Sequence, residues 1–170
     1  MSLNQDEEFM RRAIGLARGQ LGRTGSNPAV GCVIVRDGVV IGQAATADGG
    51  RPHAEEQALA LAGPDAAGAT AYVSLEPCGE RTSGEASCAE RLVAAGVARV
   101  LYSVANPDPR SAGLGPGRLR AAEIPFEAGL LANEAADVYA EFLRRYQAGE
   151  VKESAPQRHE GHEEDQEGRI

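Results

Sequence analysis

A chain of 170 residues with 42% hydrophobic and 25% charged positions is long enough to bury most of its unfolded surface in one compact domain. Its formal charge of −8 argues against a broad electrostatic grip on nucleic acid, which needs clustered Lys and Arg to displace counterions. No apolar run approaches the roughly 18 residues of a spanning helix, and the acidic start MSLNQDEEF is unlike a signal peptide. A soluble, cytoplasmic protein with no membrane partner is therefore expected.

Asp6, Glu7 and Glu8 suit the positive end of a helix, and Phe9, Ala13, Ala17 and Leu21 recur at four-residue spacing, so residues 5 to 21 read as an amphipathic helix. The Gly-, Asn- and Pro-containing stretch GRTGSNP ends it. AVGCVIV and VVIGQAA then flank Arg36-Asp37-Gly38, whose Asp-Gly pair signals a tight antiparallel hairpin. Beyond the hairpin the pattern alternates. A helix over about 53–62 precedes the strand ATAYVSL, one over about 84–95 precedes ARVLYSV, and a short one over about 117–122 precedes IPFEAG. A last helix, with Leu131, Ala135, Val138, Phe142 and Tyr146 on one side, closes the domain near Gln147. Alternation of this kind predicts an α/β fold, a three-layer α/β/α sandwich on a mixed five-stranded sheet, spanning residues 3–147.

Residues 148–170 lack apolar periodicity. From Gly149 to Ile170 there are seven acidic and three basic residues, which predicts an acidic, disordered tail in which His159 and His162 are incidental. Three cysteines cannot form a fully paired disulfide framework, so metal binding or burial is the expected use of the thiols.

The folded body holds a single histidine, His53, in RPHAEEQAL. Alone it would read as a packed or surface imidazole. Pro52 and the run Ala58-Leu59-Ala60-Leu61 place it in the first turn of a helix, with Glu55 two positions on. This is the H-x-E half of the zinc deaminase signature, whose other half is P-C with a second cysteine downstream. Glu76-Pro77-Cys78 at a strand end and Cys88 in the next helical region supply it. One His and two Cys from two strand-to-helix junctions offer three Zn²⁺ ligands and leave a fourth position open, as a catalytic site requires. A structural site would want a fourth protein ligand, and Cys32, inside the apolar run 30–35, is expected to be buried and uncoordinated. Glu55, held off the metal, fits the acid and base of a hydrolytic deamination: it can take a proton from water, protonate a ring nitrogen and deliver a proton to departing ammonia.

With these motifs assembled, the chain resembles the cytidine deaminase superfamily, and within it the deaminase domain of riboflavin biosynthesis. The likeness is carried by SNPAVGCVIV at 26–35, GGRPHAEEQAL at 49–59, GATAYVSLEPC at 68–78, CAERLVAAGVARV at 88–100, NPDP at 106–109 and LGPGRLRAAEI at 114–124. The resemblance implies a small-molecule substrate, the diaminopyrimidinone bearing a ribosyl-amino phosphate side chain. It also implies a cytidine deaminase-like fold, Zn²⁺ on His53, Cys78 and Cys88, catalysis by Glu55, and Asn27 near the substrate base. Asn27 also reads as a turn residue before Pro28.

Departures from the family bear on the substrate. Asn106 and Asp108 fall where the family has substrate-contacting polar residues in a D-P-N-P motif, here exchanged to N-P-D-P. The loop between the cysteines reads GERTSGEAS, one residue longer than the family's and without its histidines or paired prolines. Arg81 or Arg51 could supply charge to a phosphate, or be a solvated arginine. Thr46 stands where the family commonly carries a histidine. A free nucleobase or nucleoside is thus the alternative substrate, and a non-catalytic zinc-binding module the second alternative. Editing enzymes of the superfamily carry P-C-x-x-C, whereas nine residues separate Cys78 from Cys88, which again argues against nucleic acid. The chain ends where many members continue into a reductase domain, so a separate reductase is expected if it serves that pathway, and members are commonly homo-oligomers.

Overall fold

The computed structural model describes residues 3–109 and 111–148; the expected acidic tail, with His159 and His162, lies outside the described residues apart from Ala148. Two compact units divide after Tyr139. The first holds the whole sheet and every candidate site residue.

In chain order the elements are α1 (Leu3–Gly19), β1 (Gly31–Arg36), β2 (Val39–Ala45), α2 (Ala54–Ala62), β3 (Thr70–Leu75), α3 (Cys88–Ala95), β4 (Arg99–Val104), α4 (Leu114–Ala121), β5 (Phe126–Ala128) and α5 (Ala132–Ala148). Asp37 and Gly38 both take positive φ, 51° and 77°, the backbone of a type I′ turn, so the Asp-Gly signal closes the expected hairpin. The sheet order is β2-β1-β3-β4-β5, antiparallel across β2/β1 and β1/β3 and parallel across β3/β4 and β4/β5. The hairpin places β1 antiparallel to β3, which makes the sheet mixed.

Alternation along the strands sends successive side chains to opposite layers. Cys32, Ile34, Ala71, Val73, Val100 and Tyr102 join Ala54 and Ala58 of α2, Leu92 of α3 and Leu119 of α4 in one core. Val33, Val35, Tyr72 and Leu101 are buried toward the other layer, where α1 packs on β1 and β3 with Met10, Ala13, Ile14 and Ala17 buried. The phenol of Tyr139, in the first half of α5, donates to the Ala29 carbonyl (2.8 Å) and lies 2.7 Å from the Ser74 hydroxyl. Helices on both faces of the sheet complete the expected three layers.

Three helix boundaries differ from expectation: α1 runs from Leu3 to Gly19 instead of 5 to 21, so that Leu21 falls in the following turn and is exposed, and α3 and α4 start elsewhere for local reasons. α3 begins at Cys88, not near Gly84, because Ser87 caps it: its hydroxyl accepts from the Glu90 amide (3.1 Å) while the Glu90 carboxylate accepts from the Ser87 amide (3.0 Å). α4 begins at Leu114, three residues before Gly117, after Gly113 in a left-handed conformation. Short 3-10 turns at Asp48–Gly50 and Gly63–Ala66 add to the pattern.

One polar cluster ties α1 to the sheet. Buried Asp6 accepts from the Tyr72 hydroxyl (2.6 Å) and from both terminal nitrogens of Arg99 (3.1 and 2.6 Å), and Arg99 also reaches Glu127 (3.0 Å). Burial pushes the Asp6 carboxyl up, but the hydrogen bonds from Arg99 and Tyr72 outweigh it and hold the group below its ordinary value of 3.8. A carboxyl lowered in the folded state stabilises the fold above its unfolded pKa and ceases to do so as pH falls through the folded one. Asp6→Asn is therefore expected to cost about 2 kcal/mol at pH 7 and to flatten the loss of stability below about pH 4 in denaturant titrations. An acid limb identical to the native one would contradict this role.

Candidate metal centre and active site

Two helix starts and one strand end converge on the site. β3 delivers Glu76, Pro77 and Cys78 at its carboxyl end, α2 begins directly after His53, and α3 begins at Cys88. The helix starts leave orphan backbone donors that need partners. In α3 all four find one. The Ser87 and Glu90 amides are used in the capping box; the Cys88 amide donates to the Cys78 sulfur (3.2 Å) and the Ala89 amide to the Cys78 carbonyl (3.0 Å). Cys78 is thus held by the helix that carries Cys88.

The ligating atoms of His53, Cys78 and Cys88 all lie within 4.8 Å of one another, with His53 Nδ1 3.3 Å from Cys88 Sγ. Among the described residues this is the grouping of His, Cys and acidic side chains suited to holding an ion. The donor set fits Zn²⁺: one imidazole and two thiols, with the Cys78 thiol pulled well below its ordinary range by its hydrogen bond with Cys88, against burial. Two thiolates also neutralise the ion's charge in a partly buried place. Cys32 is buried and outside the cluster, and burial followed by the Glu55 charge keeps its thiol well above the ordinary range, as expected of an uncoordinated cysteine.

Glu55 is 3% exposed on the first turn of α2, outside the three-donor cluster. Burial first, then the Cys78 charge, pushes its carboxyl up to about 7, with His53 and a hydrogen bond involving Cys88 pulling the other way. Its neighbour Glu56 points into a different environment. The Glu56 carboxylate accepts from the His53 amide (2.9 Å), pairs with Arg81 and lies 3.5 Å from Arg91. Burial raises it, yet the Arg81 hydrogen bond and the His53 amide leave it below the ordinary carboxylate value.

The remaining candidate residues hang from the same junctions. Asn27 donates its side-chain amide to the Gly50 carbonyl (3.0 Å), three residues before His53. The Thr46 hydroxyl accepts from the Val30 amide (2.9 Å), joining the end of β2 to the approach to β1. Asn106 Oδ1 accepts from the Asp108 amide (3.0 Å), an Asx turn that folds the N-P-D-P segment on itself, and Asp108 is buried. Arg81 is not presented to solvent; its side chain is 4% exposed and faces Glu56. Arg51 pairs with Glu85 at 3.5 Å in an exposed contact.

Sequence reasoning missed two organising carboxylates. Glu76 is buried at the end of β3 and accepts from the Asn106 amide (3.4 Å) and the Gly113 amide (2.8 Å), so it fastens the 105–113 loop beside the Cys78 loop. Gly115 completes the clasp: a Cβ there would fall 1.9 Å from the Pro77 carbonyl, so only glycine lets α4 approach so closely. The Arg118 guanidinium also donates to the Gly79 carbonyl. Glu56 is the second. A Glu directly after the H-x-E pattern gives no sign of its partners, since Arg81 and Arg91 are distant in sequence.

Residues 3–104 match the model of the cytidine and deoxycytidylate deaminase zinc-binding region. The chain belongs to this family. It is 46% identical over 145 residues to the riboflavin biosynthesis protein RibD of Escherichia coli (strain K12), a match covering 85% of this chain and 39% of the relative. It is 37% identical over 141 residues to the diaminohydroxyphosphoribosylamino-pyrimidine deaminase of Buchnera aphidicola, covering 83% of this chain and 95% of that protein. Acinetobacter baumannii RibD superposes with a TM-score of 0.82 at 43% identity, over 87% of this chain and 41% of the solved one. The chain thus spans about two fifths of the RibD proteins it matches. The likeness confirms the cytidine deaminase-like fold, and the family's zinc-binding character agrees with the His53, Cys78, Cys88 donor set.

If Glu76 holds the 105–113 loop, Glu76→Ala should speed hydrogen exchange at the Gly113 amide by about tenfold or more, the loss of one charge-assisted hydrogen bond. Exchange followed by mass spectrometry checks it, with β1 and β3 amides as the unchanged reference. Unaltered protection at Gly113 would show that the loop is held by other contacts.

Proposed function

We propose that the deaminase domain, residues 3–147, hydrolytically removes an exocyclic amine from an amino-pyrimidine, diaminohydroxyphosphoribosylaminopyrimidine of the riboflavin pathway, releasing ammonia. The buried Glu55 carboxylate beside a three-donor cluster is the observation that carries the reaction class. The substrate rests on the Buchnera aphidicola relative, named for that deaminase, which this chain matches over 95% of the relative's length.

His53, Cys78 and Cys88 would hold the zinc. When bound, the ion would supply the Lewis acidity that lets water act as a nucleophile near neutral pH. The chain's own residues do the rest. Glu55 takes a proton from the attacking water and gives it to the ring nitrogen next to the reacting carbon as the C–O bond forms, then takes the remaining proton from the new hydroxyl and hands it to the amine as the C–N bond breaks. The amine leaves as ammonia and a carbonyl remains. Burial suits this work: with water excluded, the proton moves between Glu55 and the substrate and does not escape to solvent. Asn27, Asn106 and Asp108 are the proposed substrate-side residues; Arg81, expected among them from the sequence, is turned to Glu56.

No described helix is long and apolar enough to cross a membrane. We further propose a small-molecule enzyme of the cytoplasm acting as a homo-oligomer, and the net charge of −8 supports the absence of a nucleic-acid partner. If the chain serves that pathway, a separate reductase is proposed to act on the product.

A second reading keeps the reaction and changes the substrate to a free base or nucleoside. The observation that favours it is Arg81, whose guanidinium faces Glu56 in place of solvent where a phosphate contact is wanted. Ammonia release over a panel of the phosphorylated pyrimidine, free bases and nucleosides separates the two: turnover of the phosphorylated compound is expected, and turnover of bases alone would defeat the preferred substrate. Glu55→Gln should lower kcat by about 10²–10⁴ while metal analysis still finds about one zinc per chain. An unchanged rate would remove Glu55 from the mechanism.

A further inference from the structure

Arg81 lies on the loop that joins the two cysteines, and its surroundings are unusual for an arginine. Its side chain is 4% exposed and its Nε is buried without a hydrogen-bond partner. One terminal nitrogen, Nη2, does two things: it meets the Glu56 carboxylate and it points at Cys88 Sγ, 3.8 Å away.

The charge count around Glu56 sharpens this. Its two oxygens face two guanidiniums, Arg81 on one and Arg91 on the other at 3.5 Å, and one of the oxygens also takes the His53 amide. One negative charge set against two positive ones leaves a surplus cation. Arg91 is 33% exposed and can be served by water; the Arg81 side chain is 4% exposed, and the sulfur of Cys88 is the further acceptor within its reach. Burying a guanidinium is costly unless its charge is matched and its donors are used. With Zn²⁺ held by His53, Cys78 and Cys88, the Cys88 sulfur would bind as a thiolate and so present Nη2 with an anionic acceptor.

We propose that Arg81, oriented by Glu56, is a positioning residue for the metal centre, donating a charge-assisted N–H···S hydrogen bond to the Cys88 thiolate and fixing that sulfur in its ligating direction. Glu56 thereby reaches two of the three donors, the His53 backbone directly and the Cys88 sulfur through Arg81. Groups outside the ligand set that orient ligands commonly change metal affinity by about 10–100-fold when removed. This role differs from a contact to substrate phosphate, and it rests on the zinc reading of His53, Cys78 and Cys88.

The test uses the whole chain, titrated with Zn²⁺ against a chelating indicator and, in parallel, loaded with Co²⁺ for absorption spectroscopy. Native protein is expected to bind about one metal per chain with a thiolate-to-cobalt charge-transfer band. In Arg81→Met, zinc affinity should fall by about tenfold or more, and the band should move to longer wavelength, because a sulfur that has lost a hydrogen bond gives up an electron more easily. Arg81→Lys, which keeps the charge, should recover most of both. Glu56→Gln serves if Arg81→Met does not fold: Gln preserves the cap on the His53 amide yet releases Arg81, and the same direction of change is expected.

Native-like affinity and spectrum in these variants would overturn the proposal. So would weaker binding with an unshifted band, which is the mark of a packing role alone. A native chain that binds neither metal would instead defeat the zinc reading itself, a failure separable from the first because it appears before any substitution.

Discussion

The hydrogen bond from the Cys88 amide to the Cys78 sulfur, 3.2 Å, is the joint on which the site depends. It satisfies a donor that the start of α3 would otherwise leave orphaned, and it places one candidate ligand against the residue that carries another. The Ala89 amide on the Cys78 carbonyl doubles the joint. β3 fixes where Cys78 emerges, Ser87 and Glu90 fix where α3 begins, and the two sulfurs meet as a result. The positive end of the helix also favours negative charge on the sulfur it faces, so one contact serves the fold and the metal chemistry together.

Around that joint the protein sorts charge by direction. Glu55 and Glu56 are consecutive on α2 and receive opposite treatment. Glu55 turns inward, where burial and the Cys78 charge keep its carboxyl ready to hold a proton near neutral pH. Glu56 turns toward Arg81, Arg91 and the His53 amide, where ionisation is favoured. Two carboxylates one residue apart thereby take different tasks, the separation of acid and anion that hydrolytic sites need. Cys32 sits beneath, buried and neutral, and belongs to the core.

Much of this was legible in the sequence. The Asp37-Gly38 turn, the strand-helix alternation and the junctions bearing His53, Glu55, Cys78 and Cys88 each follow from local rules, and the assembled sheet obeys them. The start of α3 was legible too: Ser87-Cys88-Ala89-Glu90 is a capping box, and it outranks the Gly84 that suggested an earlier start. What could not be read were contacts between side chains far apart in sequence. No spacing rule connects Glu76 to the Asn106 and Gly113 amides, or Glu56 to Arg81 and Arg91, because those partners are chosen by the way loops stack at the carboxyl ends of the strands. Arg81 illustrates the difference. In sequence it is a basic residue in a polar loop, the usual description of a solvated side chain, and in the folded protein it is buried between a carboxylate and a sulfur.

We propose that His53, Cys78 and Cys88, with no fourth protein donor, hold the metal. X-ray absorption at the zinc edge of the loaded protein tests it most directly, since sulfur neighbours at about 2.3 Å and nitrogen or oxygen neighbours at about 2.0–2.2 Å are resolved by distance and scattering strength. The expected result is two sulfurs, one imidazole nitrogen and one further light atom from solvent. Three sulfurs, which would bring in Cys32, or a shell without sulfur would contradict it.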